Sequence, residues 1–185
     1  MKLVIGLGNP GRKYDSTRHN VGFAVAAELA GRHGTSGPRS GFQAELIEAN
    51  LGGDKVLLVM PQPFMNLSGA SALAARDFYK VENTDLLVVC DDFNLPLGVL
   101  RLRGQGSAGG QKGLADVIHR LGTDEVPRLR IGVGPVPASW DPIDFVLSRF
   151  TKNEQPEIEL SLLRAADAVE AWATKGMAEA MNRFN

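Results

Sequence analysis

The sequence predicts an α/β protein: a single domain over residues 1–185 with a twisted mixed β-sheet flanked by helices on both faces. Three observations carry the prediction. Short apolar runs alternate with longer amphipathic stretches along the whole chain. Turn signals rich in glycine and proline separate them. Two of the apolar runs, 43–49 and 55–60, flank Gly52-Gly53-Asp54, which reads as a hairpin and makes the sheet mixed rather than purely parallel. The length accommodates one full hydrophobic core.

Taken in order, Lys2–Leu7 is a strand, because Leu3-Val4-Ile5 is a continuous apolar run of buried-strand length. The segment GLGNPGRKYDSTRHNVG, Gly6 to Gly22, is an extended loop loaded with polar and planar groups. Such loops at strand ends carry chemistry in α/β proteins. A helix follows over Asn20–His33, then a Gly-Thr-Ser-Gly-Pro loop at 34–38. Gln43–Ala49 and Lys55–Met60 form the hairpin strands. Asn66–Tyr79 is a helix after Pro61 and Pro63, and Asp85–Cys90 and Val99–Arg103 are strands. The helix Gly110–Leu121 shows Leu114, Val117, Ile118 and Leu121 on one face at i, i+3, i+4, i+7 spacing. Leu129–Val133 is the last strand. Gly134, Pro135 and Pro137 open an irregular turn that carries Trp140. Asn153–Lys175 is a helix with Ile158, Leu162, Ala166, Val169 and Trp172 at similar spacing.

Composition narrows the function classes. No apolar run approaches membrane-spanning length, and the chain opens directly on a strand without a signal-peptide pattern, so a cytoplasmic protein is expected. One cysteine, Cys90, precludes an internal disulfide. His19, His33 and His119 are scattered, so no metal site is expected. The net charge of −1 gives no global attraction to nucleic acid. Its distribution is uneven. Between Phe93 and Ala115 there is no acidic residue, while Arg101, Arg103 and Lys112 fall inside, and Arg128 and Arg130 follow. This is compatible either with one basic face or with an ordinary solvated surface.

Several candidate motifs fail on context. Gly6, Gly8 and Gly11 spell GxGxxG after a strand, but no helix opens directly behind them, so the glycines read as permitting a tight turn and close backbone approach. The run from Gly106 to Lys112 lacks the glycine before the lysine and the hydroxyl after it that a P-loop needs. Its glycines could still offer N–H groups to a phosphate at the helix start. GxSxG and HExxH are absent. Other residues keep two readings. Asn66 fits a helix N-cap, or could face a ligand. Asp91 and Asp92 could orient a histidine, hold magnesium or form a solvated turn. Cys90 reads as a buried thiol, and His33 and His119 as helix-closing residues. His19 can take and return a proton near neutrality, and Asn9 and Asn20 can donate and accept without changing charge.

GLGNPG with the downstream TRHNVG, then FMNLSG, Asp91 followed by LPLG, GSAGG entering a helix, and LRIGVG at 129–134 together cover nearly the whole chain. In this order and spacing they resemble the bacterial-type peptidyl-tRNA hydrolase family. The resemblance implies a monomeric α/β enzyme without cofactor. It would hydrolyse the ester between a peptide and the 3′-terminal adenosine of tRNA, recycling tRNA from prematurely released peptidyl-tRNA. It makes His19 the general base, Asp91 its orienting carboxylate, and Asn9 and Asn66 the amides holding the peptide carbonyl or oxyanion. Asn9 is also implied in telling an acylated amino group from a free one, since an amide reads a peptide N–H. Tyr14, Phe64 and Asn66 match positions contacting the tRNA end, and Arg101, Arg103 and Arg130 fall where the family carries basic residues toward the acceptor arm. The family's common His-Asn-Gly-Leu after GSAGG is here Gln111-Lys112-Gly113-Leu114. Lys112 can hold a phosphate as a point charge, and Gln111 cannot titrate. Activity is expected to survive. The alternative is a non-catalytic RNA-processing scaffold of the same fold.

Overall fold

The computed structural model describes residues 1–185. Its strands are β1 (Lys2–Gly6), β2 (Arg39–Gly41), β3 (Ala44–Leu51), β4 (Asp54–Pro61), β5 (Leu86–Pro96), β6 (Leu100–Arg103) and β7 (Arg128–Gly134). Its helices are α1 (Val21–His33), α2 (Gly69–Tyr79), α3 (Lys112–Leu121), α4 (Pro142–Val146), α5 (Gln155–Lys175) and α6 (Met177–Phe184). The strands make one sheet in the order β2-β3-β4-β1-β5-β7-β6. β1 pairs in parallel with both β4 and β5, and β5 with β7. β2 with β3, β3 with β4, and β6 with β7 are antiparallel. The expected hairpin is therefore present, and Gly52 (φ 61°) and Gly53 (φ 99°) supply the two left-handed residues its turn requires.

The unbroken apolar runs of β1, β4 and β5 follow from burial on both sides, and alternate side chains feed two cores. Val4, Leu58, Leu87, Val89 and Ile131 pack toward α1 and α5, where Trp172 is the largest buried side chain. Leu3, Ile5, Leu57, Val88 and Cys90 pack on the other face with Ala72 and Ala75 of α2 and Leu114 and Val117 of α3.

The differences from the sequence reading are local. β5 runs on to Pro96, past its apolar stretch, because Asp91 and Asp92 continue the parallel pairing opposite Ile131 and Gly132. β2 has no apolar signature in Arg39-Ser40-Gly41 and exists as a short edge strand against β3. α4 is a short helix that Asp141 opens by accepting the Ile143 N–H, with Pro142 in the first turn. α6 follows α5 after Gly176. α1 and α2 begin later than expected, behind 3₁₀ turns at Arg18–Asn20 and Met65–Leu67.

One close approach places the loop that precedes α1. Gly22, in the first turn of α1, lies against the Leu7 backbone and the Val89 carbonyl, and a β-carbon there would stand inside van der Waals contact of both. The helix thus starts beside the C-terminal end of β1, and the close-approach reading holds at Gly6, where a β-carbon would strike the Gly22 carbonyl, whereas Gly11 (φ 107°) has open space around it and serves its turn.

Candidate active site

β1 lies between β4 and β5, so the chain leaves β1 toward one side of the sheet and later passes to the other. Ligands of open α/β sheets bind at the C-terminal strand ends of such a switch point. A cavity of about 350 Å³ opens there. Its walls combine Asn9 after β1, His19 before α1, and Phe64, Met65 and Asn66 before α2. They also include Asp91 and Asp92 in β5, Gln111 and Lys112 at the start of α3, and Ile143, Val146 and Leu147 at α4.

His19 and Asp91 meet as the resemblance implied. His19 Nδ1 lies 2.9 Å from both Asp91 carboxylate oxygens. A carboxylate only accepts, so Nδ1 carries a ring proton, and Nε2 is the nitrogen left free of Asp91. Asp91 is 1% exposed and accepts a second bond at Oδ1, from Gln111 Nε2 at 3.1 Å. Asp92 pairs with Arg130 Nη1 at 3.1 Å and accepts the Asn94 N–H at 2.8 Å. Both acids are buried within β5 and engaged with protein donors, which overturns the solvated-turn reading of the pair.

Asn9 is held by its neighbours on three sides. Its N–H donates to Asn20 Oδ1 (2.9 Å), and its C=O accepts from Asn20 Nδ2 (3.0 Å). Its side-chain Oδ1 accepts the Met65 N–H at 2.7 Å. The open group of the Asn9 amide is therefore Nδ2, a donor. Oδ1 serves the Met65 N–H with one of its two lone pairs, and Nδ2 is left without a protein partner. Asn66 stands exposed on the cavity wall within the 3₁₀ turn. It does not cap α2, which begins three residues later at Gly69, where the Asp116 carboxylate accepts the Gly69 N–H at 2.8 Å.

Phe64 is 57% exposed, and Tyr14 meets it edge-on with ring centroids 6.4 Å apart, so the two rings form one aromatic rim. Lys112 is exposed in the wall. Arg101, Arg103 and Arg130 do not line the cavity. Arg101 lies opposite Arg130 and Arg103 opposite Arg128 in the β6–β7 register, which puts all four on one face of the sheet edge next to Asp92. Arg128 is not a surface cation. It is 1% exposed and donates to the carbonyls of Val126, Ser107 and Asp124 at 2.6, 2.9 and 3.2 Å. Burial, with Arg130 nearby, pulls its guanidinium below the ordinary arginine value. Cys90 is fully buried as expected, and burial followed by the charges of Asp91 and Asp92 raises its thiol far above the ordinary range. His33 bonds Glu170 at 2.9 Å at the end of α1, far from the cavity in its contacts.

Three contributions escaped the sequence reading. Gln111 caps α3 by accepting the Leu114 N–H at 2.7 Å, so the protein itself satisfies one of the free N–H groups at the helix start. α4 supplies an apolar wall, and Asp141-Pro142 is the sequence signal that could have found it. Arg18 is buried beside His19. It donates to both Glu154 oxygens (3.1 and 2.8 Å) and to Ser148 Oγ (3.2 Å), and its guanidinium lies 4.3 Å from the Phe145 ring and 4.8 Å from the Phe150 ring. It anchors the loop preceding α1 against α4 and the start of α5.

Residues 3–185 match the family model described as peptidyl-tRNA hydrolase. A protein named peptidyl-tRNA hydrolase from Rhodopirellula baltica is 51% identical over 185 residues, spanning 100% of this chain and 97% of that one. Another of that name from Listeria welshimeri is 45% identical over 185 residues and the full length of both. The crystal structure of peptidyl-tRNA hydrolase from Acinetobacter baumannii superposes with a TM-score of 0.92 at 32% identity, covering 100% of this chain and 94% of that chain. Motif order, fold and similarity over the full length agree: this chain belongs to the peptidyl-tRNA hydrolase family.

Proposed function

We propose that this chain hydrolyses the ester joining a peptide, or an N-blocked amino acid, to the 3′ end of tRNA. The observation that carries the reading is the His19–Asp91 pair at the cavity wall, with Nδ1 held by the carboxylate and Nε2 left to accept a proton. In this mechanism Nε2 takes a proton from a water as its oxygen attacks the ester carbonyl. Asp91 stabilises the imidazolium that forms. The oxyanion receives N–H donors from Asn9 Nδ2 and the Asn66 amide. Collapse of the tetrahedral intermediate breaks the acyl–oxygen bond, and the imidazolium returns its proton to the departing ribose oxygen. No cofactor enters these steps.

The same geometry supports a tRNA-binding arrangement. Tyr14 and Phe64 offer stacking faces for the terminal bases. Lys112 serves a phosphate near the cavity, and Arg101, Arg103 and Arg130 serve the acceptor arm along the sheet edge. Action as a monomer in the cytoplasm belongs to the same reading. No helix is long and apolar enough to cross a membrane.

Release of free tRNA from an N-blocked aminoacyl-tRNA tests the reading, with a free-amino aminoacyl-tRNA as control. Turnover of the blocked substrate is expected, and His19→Ala should lose about 10²–10⁴-fold in kcat. Retained tRNA binding without any turnover by the wild type would favour the scaffold alternative. Full activity of His19→Ala would remove His19 from the role of base.

A further inference from the structure

Gln111 has no part in the steps above, yet it touches their centre. Resting on that reading, we infer that Gln111 is a positioning residue for the hydrolysis, holding the Asp91 carboxylate against His19 through an uncharged donor. Gln111 is 6% exposed. Its Oε1 accepts the Leu114 N–H at 2.7 Å, so its Nε2 is the end turned toward Asp91 Oδ1, at 3.1 Å, with Met65 Sδ at 3.2 Å. Asp91 is almost wholly buried, and the only side chains that donate to it are His19 and Gln111. A buried carboxylate with a single partner can turn about its last torsion. A second donor, fixed by its own bond to a helix start, stops that rotation and leaves the negative charge available to the imidazole. The side chain also ties α3, and with it Lys112, to the middle of β5.

The other charged groups facing this arrangement are Asp92, paired with Arg130, and Lys112; on the His19 side Arg18 is paired with Glu154. None of them donates to Asp91. A substitution at position 111 therefore acts on His19 through Asp91.

Gln111→Glu separates positioning from capping. It keeps an acceptor for the Leu114 N–H and replaces the donor toward Asp91 with a second carboxylate. The measurements are kcat and KM on N-blocked aminoacyl-tRNA across pH, the thermal midpoint, and the NMR titration of the His19 ring. The variant is expected to fold and to keep its KM, and its kcat should fall about 10²-fold, as for a catalytic group displaced by about 1 Å. The acid limb of its rate profile and the His19 titration should both move to higher pH, because added negative charge favours the imidazolium. Gln111→Met, which fills the same space with neither a donor nor an added charge, should also lower kcat, and its freed carboxylate should move the His19 titration to lower pH; it decides the matter if the Glu variant does not fold. An unchanged kcat or an unchanged His19 titration in a folded variant overturns the inference. His19→Ala, assayed alongside, separates this from failure of the mechanism: retained turnover there removes the base, whereas the ring titration in Gln111→Glu reads the Gln111–Asp91–His19 contact without turnover.

Discussion

At Asn9 one side chain does two jobs at its two ends. Oδ1 holds the Met65 N–H, and Nδ2 faces the cavity. Substitutions can separate these jobs. Asn9→Asp keeps the acceptor for Met65 and removes the donor, so kcat should drop about 10²–10³-fold, the cost of one oxyanion donor, with the thermal midpoint nearly unchanged. Asn9→Ala also leaves the buried Met65 N–H unsatisfied and should lose a further about 1–3 kcal/mol of stability, measured by denaturant titration. Equal stability of the two variants would contradict the Oδ1 assignment. That His19, Asp91, Asn9 and Asn66 share one cavity is legible in the sequence, because their motifs resemble a family. The orientation of the Asn9 amide is not, since it depends on a contact with a backbone N–H 56 residues away. Gln111 reads in sequence as a hydrogen-bonding residue that cannot titrate; its bond to Asp91 joins the start of α3 to the middle of β5 and leaves no local pattern.

Among elements, α1, α4 and α5 meet at Arg18. Glu154 completes that junction. Burial raises its carboxyl, but the Arg18 bonds and the Thr151 N–H outweigh burial and hold it below the ordinary glutamate value. A depressed acid stabilises the fold above its unfolded value and loses that contribution as pH falls through the folded one. Glu154→Gln should therefore be less stable than wild type at pH 7, and the difference should shrink as pH falls below the ordinary glutamate range. A gap that stays constant down to pH 2–3 would count against the ion pair as its source. Arg18→Met should cost about 2–3 kcal/mol, less than the 3–5 kcal/mol of a fully buried pair, because Glu154 is 26% exposed. Gly22→Ala drives a methyl into main-chain atoms of β1 and β5 that cannot rotate away, and should cost at least about 3 kcal/mol, read from the urea midpoint. The long elements were legible from periodicity and apolar runs. The tail of β5 was not, because its pairing with β7 continues through acids that look like a turn.

On the scale of the whole molecule, a net charge of −1 conceals a basic sheet edge beside the cavity. If Lys112 and Arg101 each meet a phosphate, as proposed, Lys112→Ala and Arg101→Ala should each flatten the fall of tRNA affinity with salt by about one unit of log–log slope. Slopes equal to wild type in both variants would place these cations off the phosphates. Arg128, equally basic in sequence, should leave the slope alone, since its donors are all bound to carbonyls. Charge counting left a basic face and a plain solvated surface both open and could not sort the arginines, because only packing tells a buried guanidinium from an exposed one.

The reciprocal bonds between Asn9 and Asn20 have a consequence in time. Both main-chain groups of Asn9 end on a single side chain rather than on a neighbouring strand. Deuterium can therefore reach the Asn9 amide whenever that one side chain swings out, without any parting of the sheet. The exchange rate of a single proton in the heart of the site thus becomes a clock for how often the catalytic wall comes apart, readable in a resting protein that has never met its substrate.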